Sequence, residues 1–92
     1  MNLPIDIELR ICKDFPEQNM QELVKNIFEE MSIDEKDRVV RCILFLANGN
    51  LKRLRDFVEL AKIDYRDVIM TGEYEYPSNK KLRDFNISFK TY

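Results

Sequence analysis

Histidine is absent from all 92 residues, so the usual general base near neutral pH and the commonest metal ligand are both missing. Nucleophilic triads of the Ser-His-Asp and Cys-His kinds are thereby excluded. Cys12 and Cys42 lie far apart, each among apolar neighbours, and match no zinc, redox-pair or disulfide spacing. They are predicted to be buried, reduced thiols that pack as small apolar groups. Gly49 and Gly72 stand alone, leaving neither a phosphate-cradling loop nor a dinucleotide fingerprint. Glu29-Glu30 and Asp34-Glu35 are carboxylate pairs, but acid–base work by such a pair needs one carboxyl desolvated in a cleft, which a domain of this size seldom affords. They read as solvated helix faces and caps. The expectation is a non-enzyme with no metal and no cofactor, acting by binding.

Two stretches carry binding chemistry. Lys52, Arg53 and Arg55 cluster at the start of a helix, where the macrodipole favours acids instead. A helix-turn-helix module places bases there to meet phosphate, and the 34–63 hairpin has that outline. The neighbouring acidic third opposes such a role, so a helical nucleic-acid-binding or regulatory module is the alternative reading. The second stretch runs from Asp64 to Tyr76 and holds three of the four tyrosines. Tyrosines ringed by carboxylates supply apolar area, a hydroxyl and charge to a basic partner. Asp67, Glu73, Tyr74, Glu75 and Tyr76 are the candidate partner-binding residues.

Charge is unevenly spread along the chain. Residues 1–35 hold nine acids against three bases, and the remainder twelve bases against eight acids, including Lys80, Lys81 and Arg83. The net charge of −2 therefore conceals an electrically two-sided molecule. No apolar run approaches the roughly 20 residues of a membrane span, and the N-terminus lacks the pattern of a signal peptide. A cytoplasmic protein is expected.

The elements that position these residues follow from periodicity. With 45% hydrophobic and 35% charged residues, two glycines and three prolines, the chain suits one domain built of long helices. Met20, Leu23, Val24, Ile27, Phe28 and Met31 form one helical stripe, with Asn19 and Glu22 as a capping box and Ser32 and Glu35 as the next. The run from Val39 to Ala47 is apolar almost all round beyond Arg41, which marks a central helix. Asn48-Gly49-Asn50 stops it, with Gly49 at the C-cap and Asn50 capping the following helix. Asp64 to Asp67 offers a further cap. Residues 5–11 alternate like a strand yet also fit a helix after Pro4. Helix is the reading adopted; the alternative pairs them with Phe85, Ile87 and Phe89. The predicted fold is all-α, a compact antiparallel bundle of four to five helices at about 4–13, 19–31, 33–48, 50–63 and 65–74, with 77–92 an irregular, partly ordered tail. Leu23, Ile27, Ile43, Leu44, Leu54 and Val58 are its expected core.

The string from Asp37 to Leu46, the turn Gly49-Asn50, the block Asp64 to Ile69, Glu73-Tyr74-Glu75 and Arg83-Asp84-Phe85 together resemble a group of small bacterial proteins associated with immunity to polymorphic or contact-dependent toxins. The resemblance spans about half the chain, and much of it is core spacing. It implies a bacterial cytoplasmic inhibitor that binds and blocks a basic toxin domain, commonly a nuclease. An acidic surface that mimics nucleic acid fits that role and speeds association. The strongest acidity, however, lies in the first third, outside the resembling segments.

Overall fold

The structure, a computed structural model, describes residues 3–75 and 80–89. Four helices follow in order: α1 (Ile5–Asp14), α2 (Gln18–Glu30), α3 (Lys36–Ala47) and α4 (Leu51–Glu73). A two-residue antiparallel ladder joins β1 (Tyr74–Glu75) to β2 (Lys80–Lys81), with Tyr74 opposite Lys81. The architecture is an all-α bundle, as the periodicity predicts.

The ambiguous first segment is helical. The Pro4 carbonyl accepts the Ile7 and Glu8 N–H groups, each at 3.1 Å, and Ile7 and Ile11 turn inward as an i, i+4 pair with no exposure. A strand would have set Ile5 and Leu9 on the same face as Ile7 and Ile11; the helix instead leaves them 69% and 63% exposed.

α2 buries Val24 and Phe28 fully, with Met20 and Ile27 packed beside them, while Leu23 is only half-buried. Neither predicted capping box forms. α2 begins at Gln18 after Glu17, and α3 begins at Lys36 after Glu35, which is held left-handed at φ 51°; neither flanking residue caps with its side chain. Asp34 and Glu35 make a turn of what was expected to be the first turn of α3.

α3 is central: Val39, Val40, Arg41, Cys42, Ile43, Leu44 and Ala47 are all buried. Asn48 and Gly49 both take positive φ, 48° and 81°, a region where glycine carries no Cβ penalty. This reversal lays α4 along α3, the most extensive packing between any two elements. The Asn50 side chain accepts the Arg53 N–H at 3.0 Å, capping α4 as expected. Within α4, Asp64 departs from helical geometry (φ −154°, ψ 95°), and its carboxylate accepts the Arg66 N–H at 3.1 Å. The break is therefore a new helix N-terminus inside one continuous element. It falls between the two helices predicted at 50–63 and 65–74. Past the break, Gly72 meets α3 so closely that a Cβ there would lie 2.9 Å from the Cys42 Cβ.

Residues 82–89 are irregular, as expected, but they are not peripheral. Phe85 has no exposure and belongs to the same core as Ile7, Val39 and Leu54. The Phe85 ring lies 5.4 Å from Phe45 and 5.6 Å from Phe89.

Candidate functional site

The candidate residues at the end of α4 do not share one surface. Asp67 is exposed and Tyr74 half-buried. The Glu75 side chain and all of Tyr76 lie outside the described residues. Glu73 is fully buried, which corrects its assignment to a partner-facing surface. Its carboxylate receives Arg38 Nε and Nη2, each at 2.7 Å, and the Phe85 N–H at 3.1 Å. Lys81 Nζ stands 3.6 Å away. A carboxylate held by a bidentate guanidinium and a main-chain amide is stabilised where it is and cannot also engage an outside cation.

A second fork lies one turn along α3. Arg41 donates from Nε and Nη2 to Asp6 at 2.8 and 3.2 Å, and from Nη1 to the Phe85 carbonyl at 3.1 Å. Asp6 Oδ2 also accepts the Phe89 N–H at 3.1 Å. Burial pushes the Asp6 carboxyl up, but the Arg41 hydrogen bond, the Phe89 amide and the Arg41 charge together hold it below its ordinary value. The Glu73 hydrogen bond raises Arg38 further above its ordinary value, against the opposing effect of burial. Arg38 and Arg41 thus tie α4 and α1 to the central helix. The signal for these two in the sequence is the placing of bases at i, i+3 beside an apolar run, where a base that cannot reach solvent must find a buried acid.

Cys42 is buried, as predicted, and its thiol is pushed up to about 12, first by burial and then by the nearby Glu73 charge. Cys12 is exposed, contrary to expectation. It faces outward on α1 beside Gln21, whose side-chain oxygen is 3.5 Å from the thiol sulfur.

The basic cluster also separates. Lys52 pairs with Asp56 at 3.2 Å in solvent. Arg55 borders a groove of about 340 Å³ with Ile27, Glu30 and Glu59, whereas Arg53 borders one of about 350 Å³ with Arg10, Phe45 and Asn48. The two arginines lie on different flanks of α4, not on one recognition face. A third open groove of about 480 Å³ lies at the α4 break, lined by Ser32, Asp34, Lys62, Tyr65 and Arg66 among others.

The exposed acids that remain concentrate on α2 and the link to α3. Glu22 and Glu29, two turns apart, share the outer stripe of α2 with Glu30 beside them, and Asp34 and Asp37 follow; all five are exposed. None of these carboxylates is in an ion pair with a described residue. Among the described residues there is no group of three or more cysteines or carboxylates placed to hold a metal ion, and no helix long and apolar enough to cross a membrane. The chain matches no protein-family model, and no curated protein or solved structure shows significant similarity to it.

Proposed function

We propose that this protein is a non-catalytic inhibitor of the immunity type, which binds a basic toxin domain, nuclease-like in its charge, through the exposed carboxylates of α2 and the α2–α3 link. The observation that carries this reading is the contrast between two sets of acids. Asp6 and Glu73 are locked in buried forks, while Glu22, Glu29 and Glu30 face solvent along one helix. Unpaired surface carboxylates on a rigid helix steer a cationic partner and raise its association rate. The resemblance of the middle of the chain to toxin-immunity proteins points the same way. The resemblance supports an inhibitor but not a particular face; the exposed carboxylates favour the acidic first third, with Asp67 and Tyr74 as the competing surface.

Co-expression with a panel of basic nuclease toxin domains, starting with any encoded beside the gene, tests the proposal. Reversing Glu29 and Glu30 to Lys is expected to abolish protection and to lower both the association rate and its salt dependence, with the helical circular dichroism unchanged. If Asp67→Lys with Tyr74→Ala abolishes protection while the Glu29/Glu30 reversal does not, the interface is at the end of α4. If the wild-type protein protects against no such toxin, the inhibitor reading fails.

A further inference from the structure

In a helix, residues two apart point about 200° apart around the axis, so the alternating Ile5, Ile7, Leu9 and Ile11 divide between opposite faces of α1. Ile7 and Ile11 take the inner face and have no exposure, whereas Ile5 and Leu9 are 69% and 63% exposed. Cys12, one turn beyond Leu9, is exposed on that outer stripe as well. The other large exposed hydrophobics among the described residues, Ile63, Met70, Leu82 and Ile87, lie on α4 or in the C-terminal segment. Ile5, Leu9 and Cys12 thus form an outward apolar stripe with steps of four and then three residues, the spacing of the seam between two paired helices.

Glu8 and Lys13 border this stripe on its two sides. Lys13 is exposed and in no ion pair with a described residue. Glu8 meets Lys25 at 3.9 Å with both side chains partly in solvent, a contact that contributes little. When two helices pair in parallel about a two-fold axis, the residue just before one seam position lies beside the partner's residue five places further on, just after the next seam position. Glu8 precedes Leu9 and Lys13 follows Cys12, so they hold those two places with opposite charge. Two-fold symmetry makes the ion pair twice. An antiparallel pairing would set each flank against its own copy and lose both pairs. The helix dipole accounts for an acid early and a base late in α1, but not for two large apolar side chains left in water. A helix of this length would not hold alone; its inner face already fixes it, so pairing orders little backbone.

We infer that the outer face of α1 is a self-association surface on which a second copy of this chain packs its own α1 in parallel, with Ile5, Leu9 and Cys12 against their counterparts and Glu8 against the partner's Lys13. The seam is short, so the dimer is weak and reversible, below the size of a standard interface. It uses none of Glu22, Glu29 and Glu30, and it stands apart from the function proposed above.

Sedimentation equilibrium of the full chain at concentrations up to about 1 mM tests this, under reducing conditions so that no disulfide joins two Cys12 thiols. The mean mass of the wild type is expected to rise with concentration toward twice that of one chain. Leu9→Glu, at a position outside the core, should keep the helical circular dichroism and raise the dissociation constant at least about tenfold. Glu8→Lys and Lys13→Glu each set like charges across the seam and should each weaken the dimer about fivefold. The double variant restores opposite charges and should return to within about twofold of the wild type. A wild type that stays monomeric throughout overturns the proposal, as does a helical Leu9→Glu variant that dimerises as well as the wild type. A double variant no tighter than either single one overturns the parallel pairing and the proposal with it. If Leu9→Glu loses its helical spectrum, the charge series decides alone. Protection against a toxin has no bearing on any of these outcomes.

Discussion

Glu73→Gln leaves the Arg38 guanidinium facing a neutral amide in a place with no solvent access at the carboxylate. Breaking one partner out of a buried pair costs about 3–5 kcal/mol, and a loss toward the lower end is expected because Glu35 still contacts Arg38 at 3.2 Å. Asp67→Asn, on the exposed side of the same helix, should change stability by less than about 0.5 kcal/mol. Urea denaturation of the two variants distinguishes a structural acid from a surface acid. The two thiols separate equally well. Cys12 should react at once with a thiol reagent in the native protein, and Cys42 only after unfolding, since it is buried and its thiol is pushed up to about 12. The sign of the pH effect follows. As pH rises past the ordinary thiol value of 9.0, the unfolded chain ionises at Cys42 while the folded one does not, so stability falls toward pH 12. A Cys42→Ala variant should lack that contribution, read from urea midpoints across the alkaline range.

Helix ends carry the next set of expectations. Asn50 is the residue whose side chain caps α4, and Asn50→Ala is expected to cost about 1 kcal/mol. Asn19→Ala and Ser32→Ala should each cost less than about 0.5 kcal/mol, because α2 and α3 begin without a side-chain cap. Thermal unfolding of the three variants checks the contrast. The close approach of α4 to α3 gives a sharper test. A Cβ on Gly72 would sit 2.9 Å from Cys42 Cβ and 3.0 Å from its sulfur, and overpacking of that kind costs typically about 1–3 kcal/mol. Gly72→Ala should therefore destabilise, although alanine is the better helix former.

For the molecule as a whole, acid is the condition that tests how the ends of the chain are joined. Asp6 near the N-terminus, Arg41 in the centre and Phe89 near the C-terminus meet at one carboxylate. Its folded value lies below the ordinary 3.8, so the stability it contributes is present above that pH and is lost as pH falls through the lower folded value. Asp6→Asn should lower stability at neutral pH and flatten the decline below about pH 4, measured as urea midpoints against pH. The two forks bind the main chain of Phe85 and Phe89, which makes this segment part of the fold and links the stability of α1 to residues more than half a chain away.

The helical class, the buried stripes of α2 and α3, the reversal at Asn48-Gly49 and the caps at Asn50 and Asp64 were legible in the sequence, because each follows from spacing or from a local backbone requirement that one residue type meets. The fate of the charges was not. Glu73 and Asp67 are acids of the same helix, and only the arrival of Arg38 and Phe85 from distant positions makes one of them interior. Arg53 and Arg55 are near neighbours in sequence, yet helical rotation and the packing of α4 between two grooves send them apart. Likewise, nothing local orders the irregular segment that holds Phe85; its place depends on Glu73 and Arg41, which lie far from it in sequence. Local pattern determined which elements form, and the tertiary structure decided which charges remain on the surface, since desolvation and pairing depend on partners that sequence proximity does not reveal.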